Sequence, residues 1–363
     1  MKLRLGLVGI VLCLAALGFV SRPAPIWRFA EPLLPDPTLP AKFETIFEYT
    51  SPEGTAHAPA ILPGSGDAFS VIWFDGIRES HNDVRILGVT FPDPDNVTEV
   101  LTRQSASANL HPRQTVLTLG NTIGDGSARL LATTVSLGGW AASSVSHLAG
   151  AKSAASQSRR LNLSPLLARS HLVKSPVVAM ENDAHLLPSY FEMGQAFGVT
   201  AYLDEVGRVR GMSDMRGPNK AIQPMVVATS STDAVALLRN FDPEQGPLMA
   251  SWTQDGGQNW TAPTALDLPN PSAPVAAVRL STGAILMAFN DALDRADTLT
   301  LALSVDAGRT WARGHVFGTE GGGDLRYPMM QVLESGRIAL TYSTEGKSGI
   351  IVHVFTENWV MTP

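Results

Sequence analysis

The chain has 363 residues, 44% of them hydrophobic and 17% charged, with 27 Lys and Arg against 33 Asp and Glu for a net charge of −6. That composition supports a sizeable core and excludes a disordered chain. The acidic balance, without any basic stripe, excludes nucleic acid as a partner. Gly (32) and Pro (25) are scattered along the chain, the texture of many short strands joined by turns.

Residues 1–25, MKLRLGLVGIVLCLAALGFVSRPAP, place Lys2 and Arg4 before an uncharged apolar run from Leu5 to Val20. A basic start followed by an apolar stretch is the layout of an export signal. The run is about 16 residues, short of the roughly 20 that a spanning helix prefers, and no small-x-small cleavage site follows Val20. Cleaved signal and retained N-terminal membrane anchor both stay open, with the product in the periplasm, elsewhere in the cell envelope, or secreted. Cys13 is the only cysteine. Leu12 precedes it where a lipidation signal needs a small residue, so neither a lipid anchor nor a disulfide is expected. Residues 26–41 read as a linker and 42–360 as one domain, expected to act as a monomer.

Two stretches of that domain repeat each other. Thr253-Gln254-Asp255-Gly256-Gly257-Gln258-Asn259-Trp260 and Ser304-Val305-Asp306-Ala307-Gly308-Arg309-Thr310-Trp311 share Ser/Thr, Asp, Gly and Trp at identical offsets, about 51 residues apart. The Asp accepts backbone N–H groups of its own turn, the Gly two places on supplies a positive φ, and the Trp covers the turn. Apolar segments flank each copy, LMASW before the first and LTLALS before the second, so each reads as a hairpin turn in a small antiparallel sheet. An eroded copy falls at Gly150. A period near 51 over about 320 residues predicts an all-β, six-bladed propeller. These turns are folding devices and carry no chemistry. Trp252, Trp260 and Trp311 are expected in the core.

No metal constellation is visible: the eight His are dispersed, and no cofactor is expected. The Gly-rich stretch GTEGGGDL (318–325) precedes a strand instead of a helix, which argues against a phosphate cradle. It is expected to be a rim loop able to bring Glu320 or Asp324 towards a site.

The two boxes resemble the Asp-boxes of the sialidase superfamily, and further segments resemble that family in order: GTAHAPAILP with FSVIWFDGIRESHNDVRILGV (54–89), HLVKSPVVAMENDAHLLPSYFE (171–192), NKAIQPMVVATSSTDAVALLRN (219–240), AFNDALDRADTLTLALSVDAGRTW (288–311) and DLRYPMMQVLESGRIALTYSTE (324–345). The likeness is to bacterial exo-α-sialidase-like or BNR-repeat proteins and covers residues 42–360. It implies an exo-glycosidase acting on an acidic sugar of glycoconjugates or exopolysaccharide. Arginines would hold the sugar carboxylate, because the guanidinium is planar, bidentate and always charged. A Tyr would serve as nucleophile, since a carboxylate would meet the substrate's own charge.

Carried over on this resemblance, Arg239 and Arg295 stand at the second and third arginines and Tyr327 at the nucleophile. The loop RESHNDV offers the proton donor, Asp83 before Glu79. His57 stands where the family has its first arginine, and Gln223 where it has the glutamate that activates the tyrosine. An amide cannot take the phenolic proton. Those two departures keep a second outcome open, a non-catalytic carbohydrate-binding or structural envelope propeller. Lys174, Tyr190, Glu192, Asn290, Arg326 and Tyr342 occupy comparable strand ends. Lys174, if buried, is expected to need an anionic partner.

Overall fold

The computed structural model describes residues 26–126, 129–149, 158–164, 169–242, 244 and 246–362; the apolar N-terminal segment and Gly150 lie outside them. After β1 (Phe43–Thr50), antiparallel groups follow one another along the chain. The first is β2 (Thr55–Pro63), β3 (Phe69–Gly76), β4 (Arg85–Phe91) and β5 (Asp93–Thr102), closed by the short helix α1 (Arg103–Asn109). The second is β6 (Thr118–Gly124), β7 (Arg129–Ser136), β8 (Gly139–Ala149) and β9 (Arg159–Arg160). In the third, β10 (His171–Val173) and β11 (Val178–Ala179) share the partner β12 (His185–Phe191), followed by β13 (Phe197–Leu203) and β14 (Val209–Met215). The fourth is β15 (Ala221–Ala228), β16 (Ala234–Asn240), β17 (Gly246–Thr253) and β18 (Thr264–Asn270). The fifth is β19 (Ala276–Arg279), β20 (Ile285–Phe289), β21 (Thr298–Ser304) and β22 (Ala312–Gly318). The last is β23 (Arg326–Val332), β24 (Ile338–Thr344) and β25 (Gly349–Phe355), before the short helix α2 (Glu357–Val360).

The third and fourth groups count as one nine-stranded sheet only through a single parallel pair, Phe197 with Ala221. The last group takes β1 as its fourth strand, from Phe43 opposite Phe355 to Thr50 opposite Gly349. The first and last of the described strands are thereby paired in one sheet.

The inner strands of the groups are more buried than the outermost ones, and the sequence follows this. β15 (AIQPMVVA) and β16 (AVALLRN) are buried almost throughout, as near-continuous apolar runs must be. The fourth strands β5 and β22 expose half or more of their residues. First strands also touch across groups: β2 meets β6 and β23, β19 meets β15 and β23, and β10 meets β6.

Both repeated boxes sit between the third and fourth strands of their groups and are built alike. Asp255 Oδ1 accepts from Thr253 Oγ1 (2.8 Å) and the Asn259 amide (2.9 Å), and the Gly257 amide donates to Thr253 Oγ1 (3.1 Å). Asp306 Oδ1 accepts from Ser304 Oγ (2.8 Å) and the Thr310 amide (2.9 Å), and Oδ2 from Thr310 Oγ1 (2.6 Å). Gly257 and Gly308 have φ of 88° and 83°, as the turn requires. Trp252, Trp260 and Trp311 are part-buried against the core. Each indole is tied down: Trp252 Nε1 donates to Ala307 O of the neighbouring box (2.9 Å), and Trp311 Nε1 to Gly308 O (3.1 Å).

Burial works against ionisation of Asp306, but the bonds from Thr310 and Ser304 outweigh it and bring its pKa down to about 2. The unfolded-state value is higher, so this contribution is present above about pH 4 and is lost as pH falls through 2. Asp306→Ala is expected to cost about 1–3 kcal/mol, read as a lower midpoint in urea at pH 7. The gap to the parent should shrink below pH 3.

Residues 26–41, expected as a linker, are bound along the groups. Trp27 stacks on Tyr202 at 4.9 Å between ring centroids, and Phe29 is 2% exposed. Backbone bonds join Phe29 N to Ser231 O, Ala30 N to Ala179 O and Asp36 N to Gly336 O. All three acceptors lie in or beside the turns that follow first strands, so the segment crosses the end of those strands remote from the pocket described next.

Candidate functional site

At their starts, four first strands break register, between His57 and Ala60, Leu119 and Thr122, Ile222 and Met225, and Arg326 and Met329. In three of them the residue before a proline has positive φ: Ala58 (52°), Gln223 (53°) and Tyr327 (56°). Proline cannot donate to the ladder, and a bulge beside it re-aims the preceding side chain. Each such residue costs about 1–3 kcal/mol of backbone strain, a cost that concentrates at functional positions.

Three of these four bulges, at Leu119–Thr122, Ile222–Met225 and Arg326–Met329, contribute to a cavity of about 710 Å³. Gln223 lines it, and its ionisable groups are Tyr327, Glu79, Tyr190, Glu192, Arg239 and Lys347. Phe74, Leu119, Trp140, Leu172, Met193 and Phe241 give it an apolar wall. The structure therefore brings together Tyr327, Glu79, Gln223, Arg239, Tyr190 and Glu192 from the residues singled out in the sequence.

Arg239 ends β16. Its guanidinium lies 5.2 Å from the centre of the Phe241 ring and donates from Nε to Ser272 Oγ (3.1 Å) and from NH1 to Gln223 Oε1 (3.2 Å). Three of its five N–H donors stay available to a ligand. Gln223, 2% exposed, passes the network on by donating from Nε2 to the Tyr190 hydroxyl at 3.3 Å. Burial, with Tyr327 and Glu192 as further contributors, pushes the Tyr190 phenol well above its usual range. Burial also raises Glu192, against the pull of Arg239. Glu192 has no hydrogen bond or ion pair to another described side chain. The Tyr327 hydroxyl likewise has no partner among the described residues.

The others lie outside the residues that line this cavity. Asp83 holds its own loop: Oδ2 accepts from the Ile77 amide (2.8 Å) and Oδ1 pairs with His81. Glu79 lines the cavity in its stead, paired there with Lys347 (2.7 Å). Arg295 pairs with Asp297 (3.3 Å) and with Glu320, and Arg326 with Asp324 (2.7 Å). The Gly-rich loop thus ties both of its acids to arginines, and it is pinned by the Gly321 amide on Asp297 Oδ2 (2.6 Å). Asn290 is a strand-end staple, donating to the carbonyls of Thr298 (2.7 Å) and Leu325 (2.9 Å). Tyr342 bonds His353 in the core (2.8 Å).

His57 is fully buried, bonded through Nδ1 to Ser343 Oγ (2.8 Å), with its ring edge-on to Tyr327 at 4.4 Å between centroids. Burial, helped by Lys347 and Arg326, holds it well below the usual histidine range. It is a neutral imidazole supporting Tyr327 and offers a sugar acid no charge.

Lys174 departs furthest from expectation. Nζ donates to Pro328 O (2.6 Å) and Val275 O (3.0 Å), and no described carboxylate pairs with it. Desolvation lowers its pKa to about 7. The expected anion is replaced by two carbonyl dipoles and a readily lost proton. Because Pro328 follows Tyr327, this lysine also clamps the bulge that presents the phenol.

Sequence reasoning missed Lys347, Trp140 and Phe241. Lys347 sits in a Glu-Gly-Lys turn and Trp140 after a Gly-Gly turn, and neither carries a motif. One signal was available: prolines 59, 224 and 328 stand near the starts of three first strands and mark their bulges.

Residues 67–340 match the family model of the BNR repeat-like domain. The chain belongs to this family. Its fold matches the β-propellers of sialidases. It is similar to the Hadza microbial sialidase Hz136, with a TM-score of 0.64 and 13% identity over 84% of this chain and 66% of that one. It is similar also to the NanB sialidase of Streptococcus pneumoniae (0.62, 9%, covering 88% and 71%) and to the intramolecular trans-sialidase of Ruminococcus gnavus (0.59, 10%, covering 88% and 98%). The chain spans just under two thirds of the length of Hz136. No curated protein matches it by sequence. At these identities the likeness to the solved structures is one of fold. Of the positions carried over on the resemblance, Arg239 and Tyr327 line one cavity, while Arg295 is not among its lining residues and is held in ion pairs.

Proposed function

We propose that this protein is an exported, sialidase-like exo-glycosidase whose cavity takes a terminal acidic sugar, and that its groups of strands are the six blades of a closed propeller. Dividing the nine-stranded sheet at its single parallel pair gives the count of six, and the contacts between first strands support the closure. The observation that carries the functional reading is the shared cavity of a phenol, a guanidinium and two carboxyl groups: Tyr327, Arg239, Glu79 and Glu192.

In this reading Arg239 holds the sugar carboxylate through the donors it does not spend on Gln223 and Ser272. The Tyr327 oxygen attacks the anomeric carbon while Glu79 protonates the departing oxygen. Glu192 takes the phenolic proton, the task that Gln223 cannot perform. Water then displaces the phenol, giving its proton to Glu79 as Glu192 returns one to Tyr327. Neither atoms nor charge is left over.

Turnover of fluorogenic α-sialosides and uronides tests this. Hydrolysis of one of them, with a loss of at least about 100-fold in kcat for Glu79→Gln, is the expected result. A second reading draws on Gln223 and on the engagement of Arg295 by Glu320: a carbohydrate-binding propeller without hydrolase activity. Retention of an acidic sugar without any turnover would select it.

A further inference from the structure

We propose that Lys347 is a second anion-binding residue of this cavity, released from Glu79 to take the carboxylate of the incoming sugar. This rests on the acidic-sugar reading above. Among the described lining residues the only cations are Arg239 and Lys347. An acidic sugar held by one guanidinium, itself bonded to Gln223 and Ser272, is left with little further positive charge unless Lys347 contributes.

Lys347 is poised to do so. It lies in the turn between β24 and β25, where Glu345, Gly346 and Lys347 all have positive φ (51°, 65° and 84°). For the two non-glycine residues that conformation is strained. Neighbouring backbone holds it: Lys347 N donates to Thr344 O (3.0 Å), Ala56 N to Lys347 O (2.8 Å) and Ser51 N to Ser348 O (2.8 Å). A turn fixed in this way presents its lysine at a set place on the cavity rim. The ion pair with Glu79 joins side chains 38% and 43% exposed, and pairs so open to water are weak. Exchanging the Glu79 carboxylate for a ligand carboxylate keeps the charge on Lys347 satisfied. It also frees the Glu79 side chain from Lys347, so that it can turn to the departing oxygen of the substrate. A neutral sugar would leave the pair closed, so the exchange selects for acidic substrates.

The test titrates N-acetylneuraminic acid and glucuronic acid, each beside its methyl ester, into the full chain by calorimetry at low salt. Lys347→Gln should weaken binding of the effective acid about tenfold or more, with its ester unchanged, and Lys347→Arg should keep most of the affinity. Glu79→Gln should tighten acid binding several-fold by removing the competing carboxylate, a gain that a merely structural latch would not give. If Lys347→Gln binds the acid as the parent does while Arg239→Gln has lost it, the lysine inference is overturned and the acidic-sugar reading stands. If the parent binds neither acid, or binds acid and ester alike, both are overturned.

Discussion

Lys174→Met is expected to abolish a rise of stability with pH that the parent shows between pH 7 and 10. In the folded chain this lysine loses its proton near pH 7, whereas unfolded it keeps it up to the ordinary lysine range near 10.4. Below pH 7 both states are charged and the folded chain bears the full desolvation cost. Above pH 7 the folded state has shed the proton and the unfolded state has not, so stability grows with pH by at most about 1.4 kcal/mol per unit. A methionine fills the stem's volume but leaves the Val275 and Pro328 carbonyls without their donor. Lys174→Ala adds a cavity to that loss and should cost about 2–4 kcal/mol at pH 8. Urea unfolding of parent and Lys174→Met at pH 6, 8 and 9.5 reads the difference, in which other titrating groups cancel. Parallel pH profiles would contradict the buried position of this cation.

Tyr327→Phe is expected to separate chemistry from binding. The hydroxyl bonds no described residue, while the ring packs on His57 and the backbone at φ 56° is fixed by the Pro328 bulge. Removing one oxygen therefore leaves the cavity and its guanidinium in place. On an acidic glycoside kcat should fall by about a thousandfold or more. The affinity for the free acid should stay within about twofold, and the thermal midpoint should be unchanged. A variant that keeps its kcat would remove Tyr327 from the reaction.

The fold was legible where one rule acted alone. The Ser/Thr-x-Asp-x-Gly-x-x-Trp boxes placed two turns because a carboxylate, a positive φ and an indole are needed at fixed offsets, and residues 253–260 and 304–311 meet that need. Arg239, Gln223 and Tyr327 were reached through the resemblance to the family; the bulges before Pro224 and Pro328 that present two of them are a mark in the sequence that went unused. Register within a loop leaves none. Asp83 and Glu79 are four residues apart on the same turn, and only the fold decides that Asp83 caps Ile77 while Glu79 reaches the cavity. Lys174 was read as a cation awaiting an anion, because the carbonyls that solvate it come from residues more than a hundred positions away. Lys347 was invisible for the same reason: its partner, Glu79, is 268 positions distant.

Covalent trapping tests the central claim most directly. A fluorinated acidic glycosyl fluoride would lose fluoride to an attacking enzyme oxygen and leave a glycosyl–enzyme too slow to hydrolyse, whose peptide is read by mass spectrometry. The account predicts one added glycosyl group, on Tyr327, and none in Tyr327→Phe or in the presence of excess free acid. A label on another residue, or an unlabelled protein that still turns over acidic glycosides, would contradict it.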